Sequence, residues 1–466
     1  MRRHPAGDEA AAMRTSYPIR THLPVVVRPS PGAGRRPPRP RTFTVGAPAL
    51  GTSPVAADGC CGSVRVLPSP EPPSMRLLFQ MTNIDDDRVR REFALQVFGH
   101  MRAAGVTDAT YDADEFAVRY DGGAAVLHLG NLFTETRERS PEETREWLAR
   151  IVPALVTPAA PPESWEEVRP LLRPVLRPST YALADEGSRI RRPLFPFVDE
   201  LLAIDYPDVI GFPDETKLAG WGVTAEEALT VARENLAAVV PVAELPSDGI
   251  VKITVDEAEY LSSWILVPDW LLVSTTNFEH PPVAFIPDQR SLLIVPGDPD
   301  LLSEAFETAE QEYREAARPL SPQGYTLDES GLVIPLDRVT TANDAEVARA
   351  RAVLAGTEYN AQQQWLEEHY RDDLEAIYVS SLMVAERGDR IHTVTVWGEG
   401  VDAALPVADF LAFATDDEQT LMVPFDTAVD LTGITPMPGI HPPRYRAGEW
   451  PDPAVFERLA EAAIAF

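Results

Sequence analysis

Cysteine is nearly missing from this chain. Cys60 and Cys61 are the only two, adjacent and close to many prolines, so no disulfide framework and no cysteine-rich metal site can form. Lysine is just as scarce: Lys217 and Lys252 leave 39 of the 41 basic residues to arginine, a bias that reads as genome base composition more than chemistry. No run approaches 18 consecutive apolar residues, so no helical membrane span is expected. Nucleophile signatures are missing too. There is no G-x-S-x-G elbow, no lysine in a Schiff-base motif and no cysteine beyond Cys61.

Proline and acid are abundant. Among 466 residues there are 45 prolines, and the net charge is −31. Residues 1–74 run against this balance, with ten arginines against Asp8, Glu9, Asp58 and Glu71. The remaining 31 basic and 68 acidic residues make a body that repels phosphate backbones, so neither nucleic acid nor an anionic membrane is expected as a partner. Residues 1–74 lack apolar periodicity and read as a disordered Pro/Arg-rich tail. Arg35-Arg36 and the following Thr42–Ala57 hint at a twin-arginine signal, but Pro48 and Pro54 break its apolar core. An initiation site at Met75, where the globular pattern opens, is the reading preferred here.

From Asp85 the spacing of Val89, Phe93, Val97 and Met101 predicts a helix to about Ala104. Glu115–Tyr120 and Ala124–Leu129 flank Asp121-Gly122-Gly123 as a hairpin. Ser140-Pro141-Glu142-Glu143 is a capping box opening a helix to about Val156. Pro158–Pro162 reads as a linker. Further on, Val251–Val255, Trp264–Val267, Trp270–Ser274, Val283–Ile286 and Ser291–Val295 look β-rich, and Pro299–Ala317 helical. Asn343–Ala355 and Tyr359–Ile377 look like two helices, and Tyr378–Ala385 with Ile391–Trp397 like a hairpin. A terminal helix is expected over Ala454–Phe466.

The central stretch Phe197–Val240 organises the rest. Leu201–Ile204 and Val209–Phe212 read as short strands around Asp205-Tyr206-Pro207-Asp208. Thr224 and Glu227 then cap a helix with Leu229, Ala232, Leu236 and Val239 on one face, taken as buried. Asp205, Pro207, Trp221, Gly222, Ala232, Asn235 and Leu236 make a pattern that resembles the YtpQ-like family of bacterial proteins, whose activity is not established. Leu127, Leu129 and Asn131, and the segment PPVAFIPDQRSLLIV, extend the resemblance over about residues 80–336.

Few constellations could carry chemistry. Gly398-Glu399-Gly400-Val401-Asp402-Ala403 spells G-x-G-x-x-A after a strand, but its two acids and Pro406 oppose a phosphate loop and favour a turn. His369 and Asp373 share a helical face, and with His392 they form the alternative reading, a metal-dependent hydrolase. Arg173, Arg177, Asp205, Asp288 and Arg290 lie beside the family-like apolar runs, either as ion pairs that set register or as a polar cleft for a peptide or anion. Trp264, Trp270, Trp397 and Trp450 sit near prolines or strand ends, where rings fill either core or rim.

These observations predict a cytoplasmic α+β protein. Two small α/β lobes (75–157 and 163–336) follow the tail (1–74), and a C-terminal α+β domain (337–466) follows them. The expected function is non-enzymatic, a binding module for a protein partner, with no cofactor and no bound metal.

Overall fold

Short apolar segments punctuated by proline and glycine cannot build long strands, and the chain folds as an α+β assembly of several small sheets. The computed structural model describes residues 25–29, 76–137, 139–157, 162–185, 189–255, 259–339, 343–369, 377–387, 390–415 and 420–464. Val25–Pro29 (β1) lies inside the stretch expected to lack regular structure, yet it is an edge strand paired antiparallel with Gly249–Ile253. Its three successive valines favour the extended chain. The rest of the tail, Met75 included, lies outside the described residues.

The first lobe keeps the expected helix, hairpin, helix order, but its first helix begins at Arg76 instead of Asp85 and its sheet gains a strand at Thr110–Asp112. Helix α1 (Arg76–Ala103) is followed by the sheet of β2 (Thr110–Asp112), β3 (Ala117–Tyr120) and β4 (Ala125–His128), with Asp121–Gly123 as the hairpin turn. Short helix α2 (Gly130–Glu135) leads to α3 (Pro141–Val156). The capping box at the start of α3 is complete: the Glu143 N–H donates to Ser140 Oγ at 3.3 Å, and the Ser140 N–H to Glu143 Oε2 at 2.8 Å. Phe93, Val97 and Met101 pack on Leu148 and Val152, while Val89 is exposed because the buried stripe begins one turn later than its spacing implied.

After α4 (Trp165–Val168), the second lobe is built on three antiparallel strands. These are β5 (Leu172–Pro178), β6 (Arg191–Phe195) and β7 (Val198–Asp205), with β7 in the middle and β8 (Ile210–Gly211) against its end. Alternation along β7 divides its side chains between two faces. Leu202 and Ile204 face helix α6 (Ala225–Ala237), which follows α5 (Glu215–Trp221) and buries Ala228, Leu229 and Ala232 against them. Leu236 is buried as expected, but Val239 lies past the end of α6 and is 62% exposed, which corrects its assignment to the buried face. Asp199, Leu201 and Ala203 point the other way, opposite Arg177, Val175 and Arg173 of β5.

A six-stranded sheet follows, in the order β1, β9 (Gly249–Ile253), β11 (Leu292–Pro296), β10 (Pro282–Asp288), β12 (Pro319–Leu327), β13 (Val333–Pro335). The runs around Trp264 and Trp270 are not strands. Leu261–Leu266 is a 3-10 turn and Trp270–Ser274 is helix α7, because Pro268 and a left-handed Asp269 break the chain between them. Both indoles are buried and meet edge-to-face at 5.6 Å, so they belong to the core. Helix α8 (Pro299–Glu315) covers the other face of the sheet through Leu302, Ala305 and Phe306.

The two helices expected after residue 343 are one, α9 (Asp344–His369). It serves two cores. Val347 and Ala350 pack with α8 and the six-stranded sheet, while Ala355 and Tyr359 pack with Phe197, Leu382 and Val407. The C-terminal region holds two four-stranded sheets. One comprises β14 (Tyr378–Val379), β17 (Ala403–Pro406), β20 (Thr435–Pro436) and β21 (Arg444–Ala447); the other comprises β15 (Met383–Arg387), β16 (Arg390–Gly398), β18 (Phe410–Ala414) and β19 (Thr420–Pro424). Tyr378 and Val379 therefore leave the expected hairpin for a different sheet. Helices α10 (Phe425–Thr432) and α11 (Pro453–Ala462) close a core around Trp397 and Phe413, against which Trp450 packs. The glycine-rich segment after Trp397 turns from β16 into β17, with Gly400 at φ 73°, and no helix follows it.

Candidate functional site

Three features stand out, and the site residues nominated from the sequence belong only to the first. The β5–β7 face that turns away from α6 carries most of the nominated residues. Arg173 Nε lies 3.9 Å from Asp205 Oδ2, and the Tyr260 hydroxyl donates to Asp205 Oδ1 at 2.7 Å. Burial, followed by the neighbouring Asp205 carboxylate, drives the Tyr260 phenol far above its ordinary range. Arg177, one residue from the end of β5, sits under the Tyr181 ring, 5.6 Å from its centroid, and Arg189 is wedged between Tyr181 and Phe212 at 4.7 and 4.8 Å.

Asp288 and Arg290 occupy the turn between β10 and β11 and have different roles. Asp288 accepts the backbone N–H groups of Arg290 (2.8 Å) and Arg318 (3.2 Å), so it holds that turn; burial raises its pKa. Burial alone would weaken the Arg290 cation, but Glu259 and Glu135 outweigh it and raise its pKa. Arg290 meets Glu259 at 2.5 and 3.1 Å and Glu135 at 3.2 Å, and Arg318 pairs with Glu135. This junction ties the first lobe to the six-stranded sheet. Glu135, Glu259, Tyr260 and Arg318 escaped sequence reasoning because their partners are remote in the chain.

The second feature is a buried cluster centred on Asp199. Ser179 Oγ donates to Asp199 Oδ1 at 2.9 Å, His441 Nε2 lies 3.2 Å from the same oxygen, and Arg191 Nη1 donates to Oδ2 at 3.0 Å. Burial would raise the Asp199 pKa, but His441, Ser179 and Arg191 together bring it below the usual carboxylate value. Beside it, buried Glu358 accepts from the Thr180 N–H and hydroxyl, and burial pushes its pKa up to about 7. Serine, histidine and aspartate are all present, but the serine proton points at the carboxylate. A triad needs the hydroxyl bonded to the imidazole that will take its proton. The arrangement is a clamp between β7, the turn after β5, α9 and the loop before β21.

The third feature is apolar. Val239, Val242, Leu272 and Val273 are 62, 62, 49 and 46% exposed. Their two segments lie side by side, since Trp270 Nε1 donates to the Pro241 carbonyl (2.9 Å) and the Leu245 N–H to the Ser274 carbonyl (2.8 Å).

The metal reading gains no geometry. Asp373 and the side chain of His369 lie outside the described residues, and the His392 ring packs edge-on against Phe410 at 5.3 Å. Among the described residues there is no group of three or more His, Cys, Asp or Glu side chains placed to hold a metal ion. Nor, among them, is any helix long and apolar enough to cross a membrane. No family model, no curated protein and no solved structure matches this chain.

Proposed function

We propose that this chain is a non-enzymatic binding module for a protein partner, engaged through the aliphatic patch of Val239, Val242, Leu272 and Val273. The supporting observation is the exposure of four aliphatic side chains on two adjoining segments that are anchored by the buried Val240, Leu245, Trp270 and Leu271. Single exposed aliphatics are ordinary, but a contiguous group marks a surface that another molecule covers. The acids Glu234, Glu244 and Asp269 are exposed nearby, so a basic rim on the partner would complement the patch. A cytoplasmic setting, the lack of nucleic-acid binding and kinship with the YtpQ-like family belong to the same proposal.

The test is Val242→Asp combined with Leu272→Asp. Both positions are exposed, so melting should stay within about a degree or two of wild type. Crosslinking with mass spectrometry should recover a protein on wild-type patch peptides that the double variant loses. The same crosslinks on the variant would overturn the proposal. So would wild-type crosslinks that join only two copies of this chain.

A further inference from the structure

We propose that the outer edge of β9 is a strand-addition site for an extended protein segment, which Val25–Pro29 fills in cis as a displaceable strap. The proposal is independent of the aliphatic patch. Strands β9 to β13 all come from residues 249–335, whereas β1 reaches them across residues 30–248. β1 stands at the border of the sheet and pairs with β9 alone, from Val25 opposite Ile253 to Pro29 opposite Gly249. The acceptor strand does not depend on it. On its inner edge β9 pairs with β11, while Ile250 packs in the α8-side core and Val251 and Ile253 in the opposite core. With β1 lifted away, β9 keeps its place and presents a row of free backbone groups, the template onto which another strand adds.

The hold on β1 is slight by comparison. It is five residues long, has one neighbouring strand, and ends in Pro29, which has no N–H to donate. Its chief advantage is tethering. A segment of the same chain meets the edge at high effective concentration, so a free competitor is masked until the strap weakens. The register also sets what the edge prefers. Positions 25 and 27 lie opposite Ile253 and Val251, where β-branched residues pair well. Position 28 lies opposite Ile250, on the face covered by α8, where Lys252 already donates to Glu312 at 2.9 Å. The acid-rich α8 beside that face suits a basic residue. The ligand class is therefore an extended protein segment with β-branched residues at alternate positions and a basic residue next along, as in Val25-Val26-Val27-Arg28.

The full-length wild type, and full-length Val26→Pro combined with Val27→Pro, are titrated against a fluorescent peptide of residues 23–31 and followed by anisotropy. Successive strand residues aim their N–H groups alternately toward and away from the partner, so the double change removes a ladder donor. The variant should bind the peptide about tenfold more tightly than wild type, or better, because the intramolecular competitor is gone. A peptide carrying the same two prolines should bind neither protein. In hydrogen exchange, the amides of residues 249–253 should lose protection in the variant and regain it when the peptide is added. Val26→Gly combined with Val27→Gly keeps every donor and lowers only the strand preference, so it should show a smaller gain. That variant keeps the question decidable if the proline variant does not fold. Equal affinity of a folded variant and wild type would overturn the proposal, as would equal binding of the proline-bearing peptide. So would a wild-type dimer that becomes monomeric in the variant, since the strand would then pass between two copies.

Discussion

Glu358 of helix α9 accepts two hydrogen bonds from Thr180, 178 residues earlier, at 3.0 Å from the N–H and 2.9 Å from the hydroxyl. Beside it, His441 reaches Asp199 across 242 residues. Both contacts fasten the C-terminal half of the chain onto the β5–β7 sheet. In each, the acid is buried and comes from a different side of the junction.

The Glu358 contact makes stability depend on pH. Its folded pKa of about 7 stands above the ordinary 4.5, so protonation favours the folded state. That contribution is fully present below pH 4.5 and is lost as the pH rises through 7, by about 3 kcal/mol in all. Glu358→Gln keeps an acceptor for Thr180 and removes the titration. Urea unfolding between pH 5 and 8 should give a flatter profile for the variant than for wild type. Parallel profiles would show that Glu358 is not the group responsible.

Asn235 has a structural role on α6. Its side-chain amide donates to the carbonyls of Arg169 (2.7 Å) and Leu172 (3.1 Å), which fixes the entry into β5. Asn235→Ala leaves these carbonyls without that donor and should cost about 1–3 kcal/mol in chemical denaturation. An unchanged midpoint would contradict the assignment.

Glu200 is fully buried and binds Arg192 at 2.6 Å and Arg233 at 2.7 Å, joining β6, β7 and α6. Both arginines are partly exposed and can rehydrate, so Glu200→Ala should cost about 1–3 kcal/mol, below the range for a wholly buried pair. Loss of cooperative melting would instead mean that the triad specifies the packing of α6.

Leu236 and Val239 separate burial from periodicity. Leu236→Ala opens a cavity in the core and should destabilise by about 2–5 kcal/mol. Val239→Ala, at an exposed position, should change stability by less than about 0.5 kcal/mol. Comparable losses for the two would place Val239 inside the fold.

Much of the local structure was legible in the residues. Ser140 with Glu143 and Thr224 with Glu227 lie within one turn, so each capping box is complete in its own segment. Asp121-Gly122-Gly123 supplies positive φ at all three positions, which is what its hairpin requires. Phe93, Val97 and Met101 buried themselves as their spacing implied, and the alternation along β7 sorted its residues onto two faces. The segment from Trp264 to Ser274 resisted the same treatment. Its composition suits a strand, but burying two indoles beside Pro268 selected helical turns. The strand at Val25–Pro29 and the unbroken α9 likewise depend on surfaces contributed by other segments.

The candidate sites divide along the same line. Arg173, Arg177, Asp205, Asp288 and Arg290 could be picked out beside apolar runs, because a charge there must be satisfied somehow. The means of satisfaction was not local. Asp288 takes backbone amides, and Arg290 takes Glu259 and Glu135. Residue type and short-range spacing by themselves determined the caps, the hairpin, the helical faces and the α+β class, since each depends on interactions within a turn or a neighbouring strand. Only the tertiary structure decided that Glu358 meets Thr180, that His441 meets Asp199, and that Val239 faces outward. Those outcomes depend on which distant surfaces share a boundary, and desolvation acts on a side chain only after that boundary has formed.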